Sequence, residues 1–170
     1  MMAGVPFERR TQVGGSELML NGTGVRAVAW FKGYAAGLYL GARANATDAV
    51  VAMAGAKRIQ LHMLRDVPAA EFVKALRDGM PRNSEAAMRP LLAERLERFA
   101  AMISAVGTVH DGDLINLDYE PGRGTLFVLN GKLRGEAIDG EDFYGALLRA
   151  FIGDHPYDEK LKAGLLGRGS

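Results

Sequence analysis

A chain of 170 residues that is 48% hydrophobic suits one compact domain, which at about this size buries roughly 70% of its unfolded surface. Its 21 basic and 20 acidic residues nearly cancel and lie scattered, which argues against a nucleic-acid binder. The absence of cysteine removes disulfides, thiolate nucleophiles and cysteine-based metal sites, and no run approaches the ~18–20 apolar residues of a membrane-spanning helix.

The spacing of residues predicts one domain over residues 10–168, preceded by a terminal segment, 1–9. That segment opens on Met1-Met2-Ala3-Gly4, and a doubled Met is consistent with a start placed ahead of a trimmed signal peptide. Glu17 to Ala29 and Phe31 to Gly41 are rich in β-branched, aromatic and glycine residues and read as strands with bends at Gly22, Gly24 and Gly33. Thr47 to Ala54 reads as a short helix capped by Thr47. Lys57 to Arg65 alternates, with Ile59, Leu61 and Met63 on one side and Arg58, Gln60 and His62 on the other, as a half-buried strand does. Pro68 is placed to open a helix in which Phe72, Leu76 and Met80 share a face. A second helix is expected over about Ser84 to Val106, with Leu92, Leu96, Phe99, Ile103 and Val106 as its buried stripe. Asp113 to Glu120 and Thr125 to Leu129 read as strands. Asn130-Gly131 is a hairpin turn signal and Lys132 to Ile138 the returning strand. Asp142 to Ile152 and Asp158 to Leu166 read as closing helices. Strands and helices in blocks give an α+β fold rather than an alternating α/β one.

The segment Leu20-Asn21-Gly22-Thr23-Gly24-Val25-Arg26, with Lys32-Gly33-Tyr34 soon after, places one permanent cation and one phenol in otherwise apolar chain. Arg26 has two readings. It can pair with a carboxylate such as Asp118, or it can face a pocket and hold an acid group bidentately; Tyr34, a neutral phenol near pH 7, can donate to the same group. Gly22-Thr23-Gly24-Val25-Arg26-Ala27, with Asp48 downstream, also matches a dinucleotide fingerprint, but that fingerprint needs a strand before it and a helix after it, and the following Trp30, Gly33 and Gly37 make a poor helix. His62, His110 and His155 are far apart and lack zinc spacing. Ser16, Ser84 and Ser104 have neither a nucleophile elbow nor a nearby His. Glu94, Arg95, Glu97 and Arg98 read as a solvated helix face, and Tyr39, Tyr119 and Phe127 as core aromatics. No cofactor and no metal are expected.

The Leu20–Arg26 word and the Lys32-Gly33-Tyr34-Ala35-Ala36-Gly37-Leu38-Tyr39-Leu40 block, taken with words in the tail, resemble bacterial chalcone isomerase-like proteins. The tail words are Asn130-Gly131-Lys132, Asp142-Phe143-Tyr144, Leu147-Leu148, Ile152-Gly153, Pro156 and Leu161-Lys162-Gly164-Leu165-Leu166-Gly167. The resemblance covers about residues 14 to 167. It implies an open-faced β-sandwich, a large antiparallel sheet with helices packed on one face. In the plant isomerases, which close a chalcone to a flavanone, an arginine at the position of Arg26 steadies a phenolate or enolate. The resemblance places Tyr34 where those enzymes have a threonine, Phe72 where they have a tyrosine and Gly79 where they have an asparagine. Arg26 and Tyr34 match instead the pair with which the fatty-acid-binding branch holds a carboxylate. The expectation is therefore non-catalytic binding of a fatty acid or similar amphipathic acid through Arg26 and Tyr34. An intramolecular lyase acting on a chalcone-like substrate is the first alternative, and a structural or protein-interaction domain without a ligand the second. The missing cysteine, the doubled Met and the resemblance lead to an expected periplasmic location, with the cytoplasm as alternative. No nucleic-acid partner and no integral membrane segment are expected.

Overall fold

The structure, a computed structural model, describes residues 4–28 and 31–168; Met1-Met2-Ala3, the expected strand end at Ala29, and Trp30 lie outside the described residues. Among the described residues nine strands and five helices follow in the order β1 (Arg10–Val13), β2 (Ser16–Val28), β3 (Phe31–Leu40), α1 (Thr47–Ala52), β4 (Lys57–Met63), β5 (Val67–Pro68), α2 (Ala69–Arg82), α3 (Arg89–Ser104), β6 (Thr108–Val109), β7 (Leu114–Glu120), β8 (Gly124–Leu129), β9 (Lys132–Leu133), α4 (Glu141–Ile152) and α5 (Glu159–Leu165). Seven strands form one sheet in the order β1-β2-β3-β4-β7-β8-β9, and every neighbouring pair is antiparallel. β5 and β6 form a separate short pair. The α+β expectation holds, and the dinucleotide pattern falls away because Gly22 and Gly24 sit inside a long antiparallel strand.

Alternation along the strands decides where the core lies. Tyr34, Ala36, Leu38 and Leu40 of β3, Ile59, Leu61 and Met63 of β4 and Ile115 and Leu117 of β7 join the main core with the helices, whereas Tyr39 joins a small cluster with Val13 and Leu18 on the opposite face. From the helices come Val73, Leu76 and Met80 of α2, Leu92, Leu96, Phe99 and Ile103 of α3 and Phe143, Leu147 and Leu148 of α4. Among the described residues no helix is long and apolar enough to cross a membrane.

The glycine-rich word has a packing reason. A Cβ on Gly22 would collide with the Gly164 carbonyl oxygen, and one on Gly24 would sit 3.0 Å from Leu161 Cδ1. The two glycines let α5 lie directly on β2, while Asn21 ties the same region by donating to Ala44 O and Leu165 O, each at 2.9 Å.

Several boundaries differ from expectation. The cap of α1 is Ala46, and Thr47 is helical, its hydroxyl donating to Ile152 O at 2.6 Å. Pro68 ends β5 and is the cap of α2 rather than its first turn. The second long helix starts at Arg89, because Ser84 folds back on α2, donating to Met80 O at 2.7 Å. The Asn130-Gly131 turn forms with both residues at positive φ, 51° and 83°. Its returning strand stops at Leu133, since Gly135 turns the chain at φ 74°, and only an isolated bridge from Ile138 to Thr125 remains of the expected continuation.

Candidate functional site

Arg26 and Tyr34 are direct partners across the β2–β3 ladder. A register shift follows at once, between Arg26 and Ala27. Such a bulge re-aims side chains where regular pairing stops. Arg26 continues the face of Gly24, which is occupied by α5, and so reaches beyond the start of that helix.

Both residues line a cavity of about 320 Å³ between the sheet and the helices. Its depth is apolar: Leu61, Ile115, Leu117 and Phe127 come from the sheet, and Leu76, Phe99 and Ile103 from α2 and α3. Its polar lining consists of Arg26, Tyr34, Arg65, Asp66, Glu71 and Tyr157. Arg65, Asp66 and Glu71 are exposed and mark where the cavity opens.

Tyr34 is buried, at 8% exposure. The phenols of Tyr39, Tyr144 and Tyr157 donate to Glu8 O, Leu117 O and Ala75 O respectively. The Tyr34 hydroxyl has no hydrogen-bond partner among the described residues, although it borders the cavity. The hydroxyl oxygen itself keeps access to open space beside the cavity, where it can donate to a guest. Burial pushes the Tyr34 phenol well above its ordinary value; the Arg26 cation pulls it back in part and Asp158 pushes it further up. Tyr157 is raised in the same way, chiefly by burial and then by Tyr34. At neutral pH both are therefore protonated, as donors must be.

Arg26 does not pair with Asp118. Asp118 stands opposite Arg58 in the β4–β7 ladder and accepts from Arg58 Nε and Nη2 at 2.8 and 2.9 Å. The carboxylate near Arg26 is Asp158, 3.9 Å from Nη1. Arg26 also donates to Ala27 O at 3.3 Å. Phe72 lines the cavity and stacks on Tyr34, ring centroids 6.4 Å apart. Gly79 does not line it. A Cβ there would lie 2.6 Å from Tyr157 Cε1, so the Tyr157 ring fills the room that a side chain at 79 would need.

The remaining candidates are dispersed. His62 contacts Gln60 Oε1 at 2.9 Å, His110 lies 3.9 Å from Asp113, and His155 is exposed. Among the described residues no group of three or more His, Asp or Glu could hold a metal ion. The helix face of Glu94, Arg95, Glu97 and Arg98 is solvated only in part. Arg95 is 14% exposed and grips both carboxylate oxygens of Asp142 at 2.7 Å, tying α3 to α4. Tyr39, Tyr119 and Phe127 are core aromatics as expected, and Phe127 has a second role in the cavity wall.

A family model described as chalcone isomerase-like matches residues 1–167. The chain belongs to the chalcone isomerase-like family. Among solved structures the family fold recurs in a fatty-acid-binding protein of Arabidopsis thaliana, with a TM-score of 0.68 and 17% identity, over 96% of this chain and 92% of that one. No curated protein matches the chain. Within the family fold, Tyr157 and Asp158 are the site residues that the sequence did not announce. They precede α5 in the chain and reach the site only because α5 docks on Gly22 and Gly24.

Proposed function

We propose that this protein binds a fatty acid or a closely similar amphipathic carboxylate and leaves it chemically unchanged. The observation that carries this reading is the unpartnered, protonated Tyr34 hydroxyl beside Arg26 in a cavity whose depth is apolar. The carboxylate accepts from Arg26 and Tyr34, and the tail runs between the sheet and α3. The fold shared with the Arabidopsis fatty-acid-binding protein supports the same reading.

A volume of about 320 Å³ lies at the small end of ligand cavities, which span ~300–1,000 Å³. At ~30 Å³ for each water-sized unit it has room for about ten non-hydrogen atoms. Burying about ten methylenes contributes roughly 8 kcal/mol gross. A charge-assisted hydrogen bond adds ~1.5–3 kcal/mol, and association costs on the order of 4–15 kcal/mol. The tail therefore decides affinity, and the head group decides orientation.

Chalcone closure is the weaker reading. Phe72 has no hydroxyl, Gly79 has no amide, and the Tyr157 ring leaves no room to restore one. The loss of one transition-state contact of this kind costs about 10²–10³ in rate. The bacterial origin and periplasmic location expected from the resemblance belong to the same proposal, and fractionation of the native cells tests them.

The deciding experiment titrates delipidated protein with octanoate, decanoate, dodecanoate and hexadecanoate. Affinity should rise about fourfold per methylene and level off once the tail outgrows the cavity. Arg26→Ala should weaken binding roughly tenfold or more with little change in melting temperature, and Ile103→Phe, whose ring takes up part of the cavity, should shorten the tail length at which affinity levels off. No binding at any length by a folded protein, or enzyme-dependent closure of naringenin chalcone that Arg26→Ala removes, would overturn the reading.

A further inference from the structure

Arg26 meets any incoming acid with a carboxylate already beside it. Asp158 Oδ2 lies 3.9 Å from Arg26 Nη1, with side chains 20% and 31% exposed. Asp158 cannot swing away, because its other oxygen, Oδ1, caps α5 and accepts from Lys160 N at 2.8 Å and Leu161 N at 3.0 Å. The helix holds the aspartate, and the glycines of β2 hold the helix. Arg26 borders the cavity and Asp158 does not. The cavity lining also carries Arg65 against Asp66 and Glu71.

We propose that Asp158 is a specificity-determining residue that limits the head-group charge accepted at Arg26, admitting a monoanionic carboxylate and disfavouring a dianionic phosphate monoester. The proposal rests on the fatty-acid reading of this cavity. With Asp158 counted, the arginines Arg26 and Arg65 are outnumbered by Asp66, Glu71 and Asp158. A carboxylate brings one charge, which Arg26 and the Tyr34 hydroxyl can take up together. A phosphate monoester brings about −1.5 to −2 at pH 7, and the excess meets carboxylates. Asp158 also favours the protonated form of Tyr34, so the same residue that restrains the cation preserves the neutral donor.

Asp158→Asn separates the two roles of this side chain. Asparagine caps a helix as well as aspartate does but carries no charge. Wild type and variant would be titrated calorimetrically with decanoate, decyl phosphate and decanol. Removing one partly buried charge should tighten decanoate about three- to fivefold. Because Coulomb energy scales with charge, decyl phosphate should tighten roughly ten- to twentyfold. Decanol should not change. Asp158→Ser, a second uncharged cap, should reproduce the pattern. If the wild type binds decanoate but both variants leave the phosphate-to-carboxylate ratio where it was, or shift decanol equally, Asp158 is only a helix cap and the proposal fails alone. If the wild type binds no decanoate, the fatty-acid reading fails and takes this proposal with it.

Discussion

Strand β4 shows two ways of finishing a protein interior. On one side Ile59, Leu61 and Met63 enter the main core. On the other, Arg58 forks onto Asp118 and donates to Thr11 at 2.6 Å, Gln60 donates to Asn116 Oδ1 at 3.0 Å, and His62 meets Gln60. This polar side is closed by β1 and the terminal segment, with the Phe7 ring 4.6 Å from that of His62. Arg58 and Gln60 are paired across the β4–β7 ladder, and a one-residue slip would unpair both. The apolar side has no such pairing to satisfy, and there the packing stops short, leaving the cavity. The polar face fixes register, and the apolar face can afterwards accommodate a guest.

The largest expected effect breaks the polar face. Asp118→Ala leaves Arg58 without its partner, and removal of one member of a buried pair costs about 3–5 kcal/mol. Denaturant unfolding should show that loss at unchanged slope. The double variant Arg58→Met with Asp118→Leu should recover most of it, since an apolar replacement of both partners is often neutral. A single variant within about 1 kcal/mol of wild type would make the ladder incidental to stability.

How much of this was legible in the sequence varies with the range of the interaction. The two faces of β4 follow from alternation alone, and the Asn130-Gly131 turn from its residue types. The adjacency of Arg26 and Tyr34 was legible because a short connection forces β2 and β3 together. The partner of Arg26 was not. Asp118 lies two strands away from β3 in sheet order, and which cation it meets is set by the β4–β7 register rather than by any spacing near Arg26. Tyr157 and Asp158 are far along the chain and join the site through α5. The cavity has no local signature, because it is the space that Leu76, Ile103, Phe127 and their neighbours fail to fill together.

The next effect compares two positions within the apolar face. Leu147 is fully buried and does not border the cavity, whereas Ile103 does. Truncating either removes a similar apolar volume, but Ile103 already lacks neighbours on one side and has fewer dispersion contacts to lose. Leu147→Ala should cost about 4 kcal/mol and Ile103→Ala about 2 kcal/mol, measured by the same unfolding titration. Saturating decanoate should protect the wild type by about 2.7 kcal/mol at one hundred times its dissociation constant and, at the same concentration, protect Ile103→Phe less. Equal costs at the two positions would mean that the cavity collapses in solution.

The smallest effect separates the faces by pH. Burial holds the His62 imidazole below its ordinary 6.5; its cross-strand neighbours are Ala35 and Leu114, so no opposing charge offsets the dehydration. A depressed folded value means that its contribution is present above 6.5 and is lost as pH falls below it, because the unfolded chain takes up the proton first. On the apolar face the sign reverses. Burial raises Tyr34, Tyr144 and Tyr157, so their contribution is present below the ordinary phenol value and is lost as pH rises through their folded values. The acid limb just below pH 6.5 thus reports on His62 of the polar face, whereas the alkaline limb combines the cavity-side phenols with Tyr39 of the opposite face, which burial also raises, to about 12. His62→Gln, which retains an amide for Gln60, should flatten the slope just below pH 6.5 while leaving the alkaline limb in place. Tyr34→Phe should do the opposite. If both substitutions moved the same limb, the two faces would not be titrating independently, and the division of labour drawn from β4 would have to be abandoned.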